Sequence, residues 1–482
     1  MREIASGLNI LKNIFFLNTS TVLTRGLSFI SSVIIARYLG VAWFGSYAFA
    51  LYFSGLFMFL TDLGLGYLTV KEVSGDISKA GKYLGYNITI RIFFSLIVFI
   101  LVFFVVTAAD YPLIVKTGIY LIAIYNILKS LGGIFNSIFM AFEKMEYMSF
   151  LTIFLNSSIL IGIFVVTKMD LGYISIAYVY LISAGIYFLF GLSMVFKKFV
   201  KPIFDFDVSF AYGLIKKSLP FILATIFLTI FNSIDVVMIK AIKSDLAAGY
   251  YGISRVMISA FVFIPANFIV VMYPVFSRLY QNSKGSLMKY YEESMRFLMI
   301  LGIPIGLGMA ILAGRIIVLI YGKEYLPAAL SLQILSWAMI IQFMSSVPNI
   351  LMLAIDRQKT VAIVTFSGML LNIGLNYILI SKFSYVGASV ATLITYLFLF
   401  VVFFNIISKD VGRVGLLKII KKPVLTAIFM ALLIFLLKDA DLFILIAISA
   451  FSYFFILYLV KEVKKSDFDL IKRFFKGPEI LT

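Results

Sequence analysis

Neither cysteine nor histidine occurs in the 482 residues, and charged residues make up only 13% of them. The absence of cysteine excludes disulfides and thiol nucleophiles. The absence of histidine removes imidazole acid–base chemistry and the usual zinc and haem ligands. Catalysis is left with few tools, and the expectation is a protein that is not an enzyme and needs no cofactor. Acid is scarce as well, with 23 Asp and Glu against 41 Lys and Arg, a net charge of +18. On a soluble chain that excess would suggest nucleic acid. Here it is read as membrane orientation and contact with anionic lipid, and no nucleic-acid partner is expected.

Apolar surface is abundant instead: 62% of the residues are hydrophobic and the mean hydropathy is +1.07. Apolar runs of about 20 residues recur along the chain, the length at which a helix crosses the hydrocarbon of a bilayer. The fold class expected is an all-α polytopic membrane protein of about 14 transmembrane helices, from a first span at 13–36 to a last at 442–460. The ninth span, 294–313, contains Gly302, Pro304, Gly306 and Gly308, which could break it as a hinge or merely kink it for packing. No removable signal peptide is read at the start.

Lys and Arg cluster on one side of the short loops, 28 against 9 on the other, with four inside spans. By the positive-inside rule both termini are expected in the cytoplasm of a multi-pass cell-membrane protein. An internal duplication is also legible. ARYLGVAWFGSYA finds a weaker copy in IKAIKSDLAAGYYGIS, matching Gly45 with Gly249 and Tyr47 with Tyr251 at an offset of 204 residues. FNSIFMAFEKME matches PNILMLAIDRQK at an offset of 213, pairing Glu143 with Asp356 and Lys144 with Arg357. Six spans duplicated in parallel give the expected organisation: an N-lobe at 1–196, an interfacial linker at 197–217, a C-lobe at 218–408, two further spans in 409–461 and an amphipathic cytoplasmic tail at 462–482. Parallel repeats imply a substrate site between the lobes and a rocking motion.

The charges inside spans are the candidate site. Arg25 lies 13 residues after Lys12 and 12 before Arg37, too far from either helix end to snorkel. It marks a water-filled path, or else pairs with a buried acid for packing. Lys129 is also near mid-span, and Arg255 is about two turns inside its span; both are cavity cations or structural partners. Asp235 is read as a coupling-ion ligand, for H+ or Na+, or as a structural partner. Arg91 is expected at the cytoplasmic interface, since the charge-free run from 92 to 109 can itself nearly span. Asp62 is expected as a solvated or helix-terminal acid.

The segments ARYLGVAWFGSYAFA, SLPFILATIFLTIFNSIDVVMIK, YGKEYLPAALSLQILSWA and LNIGLNYILI resemble the Wzx-type polysaccharide flippases. That family lies within the superfamily of multidrug, oligosaccharidyl-lipid and polysaccharide exporters. The resemblance implies alternating access that moves an oligosaccharide on a polyprenyl phosphate or pyrophosphate carrier across the cell membrane. It also matches Arg25 to the family's first-helix arginine and Arg255 to a cation common in the eighth helix. Where the lipid II branch keeps a cation in the second helix, this chain reads Ala50, Leu51, Tyr52, a departure favouring a general glycan flippase. An ion-coupled drug extruder is the nearest alternative, and it would want acids where this interior is mostly cationic. A membrane glycan polymerase or ligase is a third, and it would want a large external loop.

Overall fold

The computed structural model describes residues 2–205 and 207–462. The expected tail helix at 466–476 lies outside the described residues. Backbone polar groups cannot go unpaired in hydrocarbon, so a chain this apolar folds as helices that satisfy them internally. Among the described residues there is no strand.

The helices are α1 (Arg2–Leu56), α2 (Met58–Asp62), α3 (Leu65–Gly75), α4 (Ala80–Ala108), α5 (Leu113–Ala141), α6 (Met145–Lys168) and α7 (Gly172–Lys198). They continue as α8 (Val208–Ile242), α9 (Asp245–Asn282), α10 (Lys284–Tyr321), α11 (Ala328–Ala354), α12 (Gln358–Asp410), α13 (Leu416–Leu436) and α14 (Leu442–Leu459). Eleven described stretches are long and apolar enough to cross a membrane. Two of them hold an extra traverse each, because α1 is interrupted at Gly40 (φ 70°) and α12 at Ser384 (φ 55°). With α8 added, the long helices account for the roughly fourteen spans read from hydropathy.

The chain packs as two compact units, Met1–Gly249 and Tyr250–Thr482. The sequence repeat divides before α8, whereas α8 packs with the first unit. In that unit the linker is bonded to α4: the Ile203 amide donates to the Gly81 carbonyl at 2.9 Å and the Asp207 amide to the Tyr86 hydroxyl at 2.9 Å. Lys82 reinforces this, 3.4 Å from the Asp205 carboxylate and 4.3 Å from the Phe210 ring centroid. Asp207 then caps α8 by accepting from the amides of Ser209 and Phe210. The turn before α4 has its own acid: hydrogen bonds from Ser78 to Asp76 hold its carboxyl below the usual carboxylate range.

The duplication shows in each unit separately. α5 ends in a turn with Glu143 left-handed (φ 55°) and the Lys144 amide donating to the Phe139 carbonyl at 2.8 Å. α11 ends the same way, with Asp356 at φ 61° and the Arg357 amide on the Met352 carbonyl at 2.9 Å. These are matched residues at the offset of 213, and the six-to-one bond is the C-terminal closure that a left-handed residue permits.

In the second unit α10 runs unbroken through Pro304. Two of its glycines serve packing: a Cβ at Gly302 would stand 2.9 Å from Phe343, and one at Gly306 would stand 2.4 Å from Ile340, whereas one at Gly308 would meet nothing within 4 Å. Both neighbours are side chains of α11, which settles the ninth span as a packed helix. The break falls instead in the second span. Leu63 (φ 47°) and Gly64 (φ 68°) are both left-handed and separate α2 from α3.

Candidate functional site

Polar contacts hold α1 against α6 and the ends of neighbouring helices. Lys12 lies 3.3 Å from Glu146, the Asn13 amide donates to the Glu143 carbonyl at 3.1 Å, and the Tyr38 hydroxyl donates to Asp170 at 2.9 Å. Near mid-helix the Ser28 hydroxyl donates to Asn156 Oδ1 at 2.8 Å. The hydroxyls of Thr21 and Thr24 are satisfied by carbonyls of their own helix, at 2.7 Å each. Arg25 sits within this frame with its side chain exposed, and among the described residues it forms no ion pair.

Lys129 occupies the equivalent kind of place on α5. Its side chain is exposed, with the ammonium 5.7 Å from the Tyr125 ring centroid. Tyr125 is buried edge-on against Tyr180 at 5.0 Å, and the Tyr180 and Tyr47 hydroxyls are 2.5 Å apart. The same face of α5 continues with Asn126, which donates to the Ser54 hydroxyl at 2.7 Å, and Ser130, whose hydroxyl is 2.5 Å from that of Thr61. A polar stripe in a membrane helix is thus satisfied group by group, and Lys129 is its exposed member.

The remaining intramembrane charges are used differently. Arg91 is 2% exposed, where the sequence led to the expectation of an interfacial residue. It stands eleven positions into α4, roughly 16 Å from the helix start. Its guanidinium pairs with Asp62, the last residue of α2, and donates to the Ser130 carbonyl at 2.7 Å. The absence of side chains at Gly66 and Gly133 makes room for it: a Cβ at either would come within 3.3 Å of a guanidinium nitrogen. Asp62 is accordingly helix-terminal as read, and its partner was missed. The signal was present: opposite charges in consecutive spans, at similar depth, beside glycines.

Two more buried cations follow the same rule. Lys240, with 3% of its side chain exposed, lies 2.6 Å from Asp245. Arg296 donates to the Glu462 carbonyl at 2.6 Å, and Lys422 closes on the Glu462 carboxylate at 2.9 Å. Asp235 is buried at 2% exposure and takes part in the chain's own interactions. Arg255, on α9 in the second unit, is half-buried and likewise engaged. The structure therefore brings Arg91, Asp62 and Ser130 together and sorts the cations: those that are buried are paired, while Arg25 and Lys129 are presented. A presented guanidinium offers a planar fork of donors to phosphate or carboxylate oxygens, and an ammonium offers a point charge. Among the described residues no group of acids could hold a metal ion.

Residues 10–280, more than half of the chain, match the sequence model of the family described as polysaccharide biosynthesis protein. An uncharacterized membrane protein of Methanocaldococcus jannaschii is 24% identical over 324 residues, 65% of this chain. The chain spans 64% of the length of that relative. Among solved structures, a lipid II flippase MurJ in an inward closed conformation superposes with a TM-score of 0.73 at 19% identity, over 95% of this chain and 98% of that one. A multidrug resistance MATE family transporter of the MOP superfamily, inward-facing, gives 0.63 at 13% identity over 80% and 95%. A MOP superfamily transporter from Pyrococcus furiosus, described as having a binding pocket of reverse polarity, gives 0.53 at 13% identity over 83% and 96%. At these identities the likeness to the solved structures is one of fold.

Proposed function

The chain belongs to the polysaccharide biosynthesis protein family, and from that premise we propose that it moves a lipid-linked oligosaccharide across the cell membrane. The carrier is a polyprenyl phosphate or pyrophosphate, the product serves surface polysaccharide or glycan assembly, and the motion is alternating access. One observation carries the reading: Arg25 and Lys129 are exposed within membrane-crossing helices, whereas the buried cations Arg91, Lys240 and Arg296 each have an acid. Cations left open in an apolar bundle suit an anionic headgroup, and an extruder of organic cations would need the opposite charge. The apolar tail can remain in the bilayer while the phosphate meets Arg25 and Lys129. Arg255 is assigned a further contact with the same headgroup. Asp235, buried at 2% exposure, is assigned the coupling ion, H+ or Na+, as the acid of its span. We assign both termini to the cytoplasm, on the bias of Lys and Arg among the loops.

The test is depletion of the protein in its own cells, followed by analysis of the carrier-linked glycans by leaflet. Accumulation on the cytoplasmic leaflet is expected. Unchanged distribution, with extrusion of a cationic dye lost instead, would replace this reading with the drug extruder.

A further inference from the structure

We propose that α1 at Gly45 and the turn from α8 into α9 at Gly249 form a releasable latch, closed in this structure and opened in each transport cycle. The inference rests on the transport reading above. Gly45 and Gly249 are the glycines that the duplicated motif places at one position, and in the first unit they meet. A Cβ on Gly45 would fall 1.8 Å from the Asp245 carbonyl oxygen and 2.8 Å from the Gly249 amide nitrogen. A Cβ on Gly249 would fall 2.2 Å from the Val41 carbonyl oxygen. Val41 and Asp245 are themselves separated by the repeat offset of 204. Each copy's glycine therefore rests on the backbone of the other copy four residues earlier, a reciprocal contact of the kind two like surfaces make.

What holds the contact is sparse. Backbone meets backbone at the glycines, which is how small residues let helices approach closely, and the Val41 side chain lies beside them, 3.0 Å from a Cβ on Gly249. The Ser46 hydroxyl donates to Asp245 Oδ1 at 2.7 Å, and the Lys240 ammonium is 2.6 Å from the same oxygen. Lys240 is held in turn by the rings of Phe49 and Tyr111, 4.6 Å and 4.9 Å from its ammonium. Its side chain is 3% exposed and that of Asp245 is 37%, so the acid is the partner that water can reach. Parting this surface gives up the Ser46–Asp245 hydrogen bond, the contact of Lys240 with the Phe49 and Tyr111 rings and a flat backbone contact, while the Lys240–Asp245 pair stays whole on the α8–α9 side. Closing it again re-seats the Lys240 ammonium against the Phe49 ring.

The chain's lack of cysteine makes the test clean. Ser46→Cys together with Asp245→Cys should form a disulfide in oxidised membranes. Movement of a polyprenyl-pyrophosphate oligosaccharide should then fall by about tenfold or more, because a required conformational step is blocked. Reduction should restore it. Ser46 is 2% exposed, so Ser46→Cys alone should react slowly with a maleimide in permeabilised vesicles, and Gly249→Ala should speed that reaction by about tenfold or more as the open state gains population. Gly55→Ala, where a Cβ meets nothing within 4 Å, should change neither readout. Failure of the disulfide to form, transport by the oxidised protein at the reduced rate, or maleimide labelling unaffected by Gly249→Ala would each overturn the latch. If the unsubstituted protein moves no lipid-linked oligosaccharide in the same vesicles, the substrate reading fails; disulfide formation and labelling need no substrate and still judge the latch.

Discussion

Arg25 and Arg91 are chemically identical and both lie within membrane-crossing helices, and their surroundings separate them. Arg91 is enclosed with Asp62, so removing either partner leaves a charge stranded in a poor solvent. Asp62 keeps 32% of its side chain exposed, which lowers the cost. Arg91→Met should therefore reduce stability by about 2–3 kcal/mol, read as a lowered unfolding midpoint in detergent. The double variant Arg91→Met/Asp62→Leu should lose less than the two single changes added together, and strict additivity would show that the pair is not coupled. Lys129→Gln should behave in the opposite way, with an unchanged midpoint and reduced transport. Spacing from the helix ends reads Arg25 as a residue that cannot snorkel. The same reasoning misplaced Arg91, because a charge-free run after a residue says how much helix can cross without it and nothing about which neighbour encloses it.

Hydropathy located the helices well, since span length is set by bilayer thickness and leaves a strong periodic mark. It missed the break between α2 and α3, because Leu63 at φ 47° carries no sequence sign and Gly64 alone is a weak one. It also offered a break in the ninth span that the structure does not have, since Gly302 and Gly306 seat side chains of α11. Proline and glycine mark departures from helix only when no neighbour fills the space they leave. The α2–α3 break makes its own prediction. Gly64→Ala puts a Cβ on a residue at φ 68° and should cost about 1–2 kcal/mol. The loss should show in the unfolding midpoint, and an unchanged midpoint would mean that the left-handed turn is not part of the stable fold.

For the whole molecule, charge bias and the duplication together argue for an even number of traverses with both ends on the basic side. A reporter fused after Lys201 should then read cytoplasmic and one near Gly322 external, and labelling of position 201 from outside intact cells would reverse the orientation. The central claim is that a cation presented in the bilayer meets the carrier's phosphate, and it is tested most directly at Arg25. Arg25→Gln keeps much of the length and polarity and removes the charge, while Arg25→Lys keeps the charge and removes the planar fork. Measured in the same membranes, protein abundance and the carrier-linked glycan on the cytoplasmic leaflet decide the matter. The account predicts normal abundance for both variants, glycan accumulation for Gln and an intermediate level for Lys; normal transport by Arg25→Gln at normal abundance would contradict it.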